Sequence, residues 1–119
     1  MSTIVQRVQK WYEYNRNQLA ENWPLIYITS FETANPLRGK VTIEFQADFA
    51  LAFITFWNKG VVTVLSLDLP GREELVIDDR ALSSGENIEL LLGEYVRQLA
   101  VIQGSHARAR RAQPKAKAI

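Results

Sequence analysis

FALAFITFWNKGVVTVLSLD, residues 49–68, decides the fold of this 119-residue chain. It predicts two β-strands joined at Asn58-Lys59-Gly60, a connection that suits a three-residue hairpin with glycine in the left-handed position. Both strands carry apolar residues at odd and even positions alike. A sheet that buries one face and wets the other alternates apolar and polar residues instead. The stretch therefore predicts a sheet with two apolar faces, and the second face must be covered by the chain itself or by a partner.

Helical periodicity appears at both ends of the chain. A first amphipathic helix is predicted over Thr3–Asn22, and Pro24 prevents it from continuing. A second helix is predicted to start with a capping box of Ser83 and Glu86 and to end at Gly104. Its apolar stripe is the most regular in the sequence and consists of Ile88, Leu91, Leu92, Tyr95, Leu99 and Ile102.

The segments between the helices predict strands. They are Leu25–Glu32, Lys40–Gln46, the two halves of the hairpin and a short closing strand at Glu74–Asp78. Their connections are too short for parallel crossovers, so the strands must form an antiparallel meander. We therefore expect an α+β fold with four to five strands, in which both helices pack on one face of the sheet.

The other face of the sheet is open. The number of residues in the loop that leads into the hairpin decides which side chains lie on it. An odd loop at residues 46–48 places on this face Thr42, Glu44, Ala50, Ala52, Ile54, Phe56, Val62, Val64 and Ser66. A loop of two residues would exchange the faces of the hairpin, because side chains alternate along a strand. In either register an apolar hairpin face lies beside the polar positions Thr42, Glu44 and Gln46.

Composition and charge separate a folded body from a tail. The chain is long enough for one domain, which we place at residues 1–104. Five of the fourteen basic residues lie in 105–119, so the tail carries +5. The body holds all thirteen acidic residues and nine basic ones, which gives it a net charge of −4. The tail lacks apolar periodicity and is expected to be flexible.

The sequence predicts a soluble, cytoplasmic protein. Its first residues, MSTIVQRVQKWYEYNRN, contain no apolar segment of signal-peptide length. The chain has no cysteine, and no run approaches the ~18 apolar residues of a membrane helix. A membrane is therefore not expected as a partner. A nucleic acid is not expected either, because the acidic body repels phosphate and five charges in the tail give only a weak, salt-sensitive attraction.

Little in the sequence points to catalysis. His106 is the only histidine and lies in the tail, so no triad can be built around a fixed imidazole. Asp78 and Asp79 read as the end of a strand, and no acidic spacing resembles a calcium loop. We expect no catalytic residues, no metal site and no cofactor, and hence no enzyme; a carboxylate-only enzyme stays open as an alternative without specific support.

The order of elements and the character of three segments resemble a known family. These segments are a strand with polar alternation (KVTIEFQ), an aromatic hairpin with a central glycine (FITFWNKGVVTVLSLD) and a capped C-terminal helix (SSGENIELLLGEYVRQLA). Over roughly residues 5–102 the chain resembles small immunity proteins of bacterial polymorphic-toxin systems. The nearest type is TriTu, which is paired with Rhs-borne, type VI-associated ADP-ribosyltransferase toxins that modify elongation factor Tu.

The resemblance implies a non-enzymatic cytoplasmic inhibitor that binds its cognate toxin domain and occludes the active site. From the residues themselves, apolar anchors on the open face and carboxylates around them are expected to bind a basic protein partner. The predicted toxin-binding residues are Glu44, Ile54, Phe56, Val62, Val64, Glu73 and Glu74. Two alternatives stay open: a secretion chaperone or adaptor for an effector protein, and a second copy of the chain or a long loop that covers the open face.

Overall fold

The computed structural model describes residues 2–48, 50–69 and 71–112, with side chains up to Gly104. Five strands form one antiparallel sheet in the order β1-β2-β3-β4-β5, so the predicted meander is confirmed. Both helices pack on one face of this sheet, and the fold is α+β. The elements are α1 (Ile4–Leu19), β1 (Leu25–Phe31), β2 (Lys40–Ala47), β3 (Ala50–Trp57), β4 (Val61–Asp68), β5 (Glu73–Ala81) and α2 (Ile88–Ala112).

The first helix ends before Pro24, as predicted, and it begins with a capping box of Thr3 and Gln6. The Thr3 hydroxyl accepts a hydrogen bond from the backbone N–H of Gln6, and the Gln6 side chain accepts one from the Thr3 N–H. Two of the unpaired donors at the helix start are satisfied in this way. The helix ends at Leu19, three residues short of the predicted Asn22.

The second helix differs from its prediction at both ends. Its cap is Asn87, whose side-chain oxygen accepts from the Leu90 N–H at 3.0 Å. Ser83 and Glu86 instead close a turn before the helix, in which the Glu86 N–H donates to the Ser83 carbonyl. The helix also continues through Gly104, so the predicted end there is wrong. A single helical glycine costs only about 1 kcal/mol, which the alanine-rich sequence beyond it can offset. Residues 113–119 of the predicted tail lie outside the part of the chain that the structure describes.

A two-residue connection joins β2 to β3, and it reverses the predicted orientation of the hairpin. Ala47 pairs with Ala50, which leaves only positions 48 and 49 in the loop. The predicted odd loop is therefore wrong, because Ala47 belongs to the strand. The second loop, Asn58-Lys59-Gly60, is confirmed: Gly60 has a φ of 92°, a conformation that glycine adopts without strain.

The core lies between the sheet and the two helices. Every second residue of the three central strands points into it, and the helices supply Val5, Val8, Leu92, Tyr95 and Leu99. Trp23, which follows α1, is 1% exposed and packs its ring against Phe45 with 5.4 Å between centroids. Among the helices that the structure describes, none is long and apolar enough to cross a membrane.

A hydrogen-bonded cluster fastens α2 to the edge strand β5. The pairing of β4 with β5 is interrupted by a bulge, next to which Asp78 pairs with Val64 on the helix-covered side. The Tyr95 hydroxyl donates to Asp78 at 2.5 Å, and Arg80 bridges Asp78 and Glu86 at 3.0 and 2.8 Å. Burial opposes ionisation of Asp78, but the hydrogen bonds from Tyr95 and Arg80 outweigh it and lower its pKa. Burial and the Asp78 carboxylate raise the pKa of Tyr95.

We expect Tyr95→Phe to destabilise the fold by about 2 kcal/mol at neutral pH, because it removes one hydrogen bond to the charged Asp78 carboxylate. The loss should shrink in acid. The folded-state pKa of Asp78 is lowered, so its stabilising contribution is present above its unfolded pKa and is lost as the pH falls through the folded pKa. Urea unfolding of both proteins at pH 7 and near pH 3 checks this; a difference that grows in acid would contradict it.

Candidate functional site: the open face of the sheet

Four rows of side chains cross the open face, and each row contains one residue from every strand. Two rows run Leu25–Gln46–Leu51–Leu67–Glu74 and Tyr27–Glu44–Phe53–Leu65–Val76. The other two run Thr29–Thr42–Thr55–Thr63–Asp79 and Phe31–Lys40–Trp57–Val61–Ala81. No helix among the described elements packs on these side chains, since the core contains only residues of the opposite face. We call this surface the open face.

Apolar side chains dominate the centre of the open face. Phe53 and Leu65 are paired neighbours on β3 and β4, and Leu51 and Leu67 form the next pair. Each is half-buried by its neighbours on the same sheet surface. Toward the edges the apolar side chains are more open: Tyr27 is 49% exposed and Val76 53%. Together they form an apolar band to which every strand except β2 contributes, since the two β2 residues in these rows are the polar Glu44 and Gln46.

A row of threonines separates this band from a second apolar group at Trp57 and Val61. The Thr42 and Thr55 hydroxyls are hydrogen-bonded to each other at 3.0 Å. The Thr63 hydroxyl donates to Asp79 at 3.1 Å, which ends the row in a carboxylate. β-branched side chains pack well on a pleated surface, so the row stabilises the central strands and places hydroxyl groups on the open face.

The charges on the open face are mostly negative. Glu44 lies inside the apolar band, where the Gln46 side-chain amide donates to its carboxylate. Glu74 and Asp79 lie on β5 at the side of the face, and Lys40 lies in the row of Trp57. An apolar surface with three carboxylates and one ammonium group suits an apolar partner surface that carries basic side chains.

The structure separates the residues that the sequence pattern grouped as a binding site. Glu44 and Glu74 do lie on the open face, beside Phe53 and Leu67 respectively. Glu73 pairs with Asp68 and belongs to the opposite side of the sheet. The four predicted apolar anchors are in the core and fully buried, each with 0% exposure: Ile54, Phe56, Val62 and Val64.

These four residues are therefore wrong as surface anchors, because the two-residue loop turns them toward the helices. Ala50, Ala52 and Ser66 of the predicted face are buried for the same reason. The residues that the prediction missed occupy the alternate positions of the same strands, namely Leu51, Phe53, Trp57, Val61, Leu65 and Leu67. Their spacing is visible in the sequence, but because both faces are apolar, only the length of the preceding loop distinguishes them.

A shallow groove along α1 is a weaker candidate. It is lined by Arg7, Lys10, Trp11 and Tyr14, which could suggest an anion or base-stacking site. Arg7, however, is already engaged with Glu89, to which it donates two hydrogen bonds at 3.0 and 2.5 Å. This pairing raises the pKa of Arg7 and lowers that of Glu89. Arg7 thus has a structural role, because its pairing with Glu89 joins α1 to α2.

Within residues 2–48, 50–69 and 71–112 no group of three or more His, Asp or Glu side chains is arranged to hold a metal ion. Comparisons with protein-family models, with characterised proteins and with solved structures find no match to this chain.

Proposed function

We propose that this chain is an immunity protein that binds a cognate antibacterial toxin domain through the open face and blocks the active site of that toxin. The observation that carries the proposal is the apolar band centred on Phe53 and Leu65. Side chains of this kind on a free sheet surface are typical of protein–protein contact sites. The resemblance to TriTu-type proteins supplies the class of partner.

The size of the open face supports a protein as the partner. Strands of eight residues spaced at the usual distance for five strands give a face of roughly 26 by 24 Å, or about 600 Å². A partner in a standard protein interface contributes about 800 Å², so most of such an interface could lie on this surface. Small-molecule sites are concave, whereas this face has no enclosing wall among the described elements.

The charge pattern supports a partner with basic residues at the contact. Glu44 is half-buried in the apolar band, and in a complex it would lose its remaining water. A buried carboxylate needs a partner to offset its desolvation, and an arginine of the toxin can supply this with two hydrogen bonds. Glu74 and Asp79 at the rim would increase the association rate. ADP-ribosyltransferase toxins that act on elongation factor Tu are the class that the resemblance implies.

Co-expression with the protein encoded by the adjacent gene tests the proposal. We expect the neighbour to be toxic alone, its toxicity to be removed when this chain is present in the cytoplasm, and the two purified proteins to form a stoichiometric complex. A neighbour that is not toxic, or one whose toxicity is unchanged by this chain, would contradict the proposal.

The free edge of β1 favours a second candidate function, a secretion chaperone or adaptor. An extended segment of an effector could add to that edge as a sixth strand. The two candidates differ in the state of the client. A chaperone binds unfolded or extended segments, whereas an immunity protein binds the folded toxin domain, so binding measured to the folded domain and to short peptides from the same protein separates them.

A further inference from the structure

We propose that the outer edge of β1 is an interface between two copies of this chain. The two β1 strands pair antiparallel about a two-fold axis at Ile28 and extend the sheet from five strands to ten. The proposed contact lies at the edge of the sheet and does not depend on the partner proposed for the open face.

The two edges of the sheet differ in how they are protected. Strand β5 carries five charged residues, Glu73, Glu74, Asp78, Asp79 and Arg80, and a bulge interrupts its pairing. Charges and bulges are the features by which natural sheets prevent pairing at an edge. Strand β1, with the sequence LIYITSF, has no charge, no proline and no bulge, and all seven residues pair in unbroken register with β2.

The backbone at this edge is free to pair. Helix α1 reaches β1 through side chains, as in the 2.7 Å hydrogen bond from Gln9 to the Ser30 hydroxyl. Apart from β2, no described element forms a backbone hydrogen bond with β1. Every second residue of an edge strand directs its N–H and C=O outward, so these groups are available to pair with a further strand.

Side chains on both sides of β1 are incompletely covered. On the open face Leu25 and Tyr27 are each 49% exposed, and Phe31 is 54% exposed. On the helix-covered side Ile26 and Ile28 remain half-buried, whereas their row neighbours on β2, Phe45 and Ile43, are fully buried. The helix layer therefore stops short of this edge, and an added strand would cover apolar surface on both sides at once.

The sequence of β1 suits a second copy of itself. Antiparallel pairing about Ile28 places Leu25 opposite Phe31, Ile26 opposite Ser30 and Tyr27 opposite Thr29 of the partner. Each pair is apolar or combines an apolar or aromatic side chain with a hydroxyl group, and no charges of the same sign meet. The competing contact, β1 against β5 of a second copy, would face a charged and bulged edge and would propagate into a filament. The two-fold contact closes after two chains.

The oligomeric state of the full chain tests the inference. Sedimentation from about 1 to about 300 µM is suitable, because a contact of one strand pair is small and weak. The mass of the wild type should rise from that of the 13.6 kDa chain toward twice that value. Tyr27→Lys with Thr29→Lys sets lysine against lysine twice across the axis and should weaken the dimer at least about tenfold.

The matched control keeps Tyr27→Lys and replaces Thr29 by Glu, which sets lysine against glutamate at the same two places and should retain the dimer. Both variants change exposed positions only, and circular dichroism verifies that they fold. A wild type that stays monomeric at every concentration overturns the inference. The alternative occupant of the edge would then be the extended effector segment described above. Identical behaviour of the two variants overturns the register, and with it the proposed interface.

Cross-linking gives a second measurement that does not rely on charge. The chain has no cysteine, so an introduced one has no competing partner. Under oxidation Ile28→Cys should form a disulfide-linked dimer, because residues opposite each other on paired strands have Cβ atoms about 5 Å apart. Ile26→Cys is the control, since the offset of four residues separates its two copies by about 13 Å. Equal cross-linking of the two variants, or none in either, contradicts the pairing.

Discussion

Replacing Phe56 by Asp should abolish folding. Phe56 is fully buried on the central strand β3, between Val41 of β2 and Val62 of β4. Removing a buried phenylalanine side chain costs about 3–5 kcal/mol, and an unpaired carboxylate in its place adds a desolvation penalty of several kcal/mol. Small domains are stable by only about 5–15 kcal/mol in total, so the sum approaches or exceeds what the fold can lose.

Phe53→Asp is the matched control, because it makes the same substitution on the same strand with the side chain on the open face. We expect this variant to fold with a loss of about 1 kcal/mol, since an aspartate in a central strand is unfavourable but remains hydrated. Circular dichroism and thermal unfolding of both variants provide the measurement. If Phe56→Asp melted like the wild type while Phe53→Asp was unfolded, Phe53 rather than Phe56 would be the residue that points into the core.

This pair of variants also tests the one feature of the hairpin that the sequence could not predict, namely which of its faces is buried. Polar and apolar alternation identified β2, the two apolar runs around Asn58-Lys59-Gly60 identified β3 and β4, and the short connections predicted their antiparallel order. The face of the hairpin could not be assigned in the same way. Phe53 and Phe56 are equally apolar, so hydrophobic contrast, which normally fixes the register, is absent. The extension of β2 by the single residue Ala47 decided which of them is buried.

The helix ends show a different limit. Serine and asparagine are comparable N-caps, and Ser83 and Asn87 both precede the apolar stripe of α2 at suitable distances. The turn that Ser83 forms with Glu86 takes up the first candidate, and Arg80 holds Glu86 from the neighbouring strand. That ion pair joins residues through the tertiary fold, and it also lowers the pKa of Glu86. A local pattern cannot reveal such a contact.

The sequence predicted that the candidate site is an apolar sheet face with carboxylates, but it did not predict most of the residues of that face. Glu44 lies on the open face as expected because β2 alternates clearly between polar and apolar residues. The acidic pair Glu73 and Glu74 could not be divided between faces without the bulge position, which places Glu74 next to Leu67 and Glu73 next to Asp68. The apolar anchors depended on the loop parity alone.

The proposed role of the open face in binding a toxin is tested by the effect of its variants on neutralisation of the protein encoded by the adjacent gene. We expect Phe53→Asp and Leu65→Asp to fold and yet to weaken binding of the toxin by about 100-fold or more, because each places a charge at the centre of a desolvated apolar contact. Cells that carry either variant should no longer survive expression of the toxin. Binding by calorimetry and survival in co-expression are the two readouts.

Leu75→Asp is the matched control for this experiment. Leu75 is an apolar residue that is 50% exposed, but it pairs with Ser66 on the helix-covered side of the sheet, away from the open face. Its replacement removes similar apolar area from a sheet edge and should leave toxin binding unchanged. Glu44→Lys tests the charge of the open face: it should slow association with the toxin and make the association rate less dependent on salt concentration. If folded Phe53→Asp and Leu65→Asp both neutralised the toxin as well as Leu75→Asp does, the open face would not be the surface that binds it.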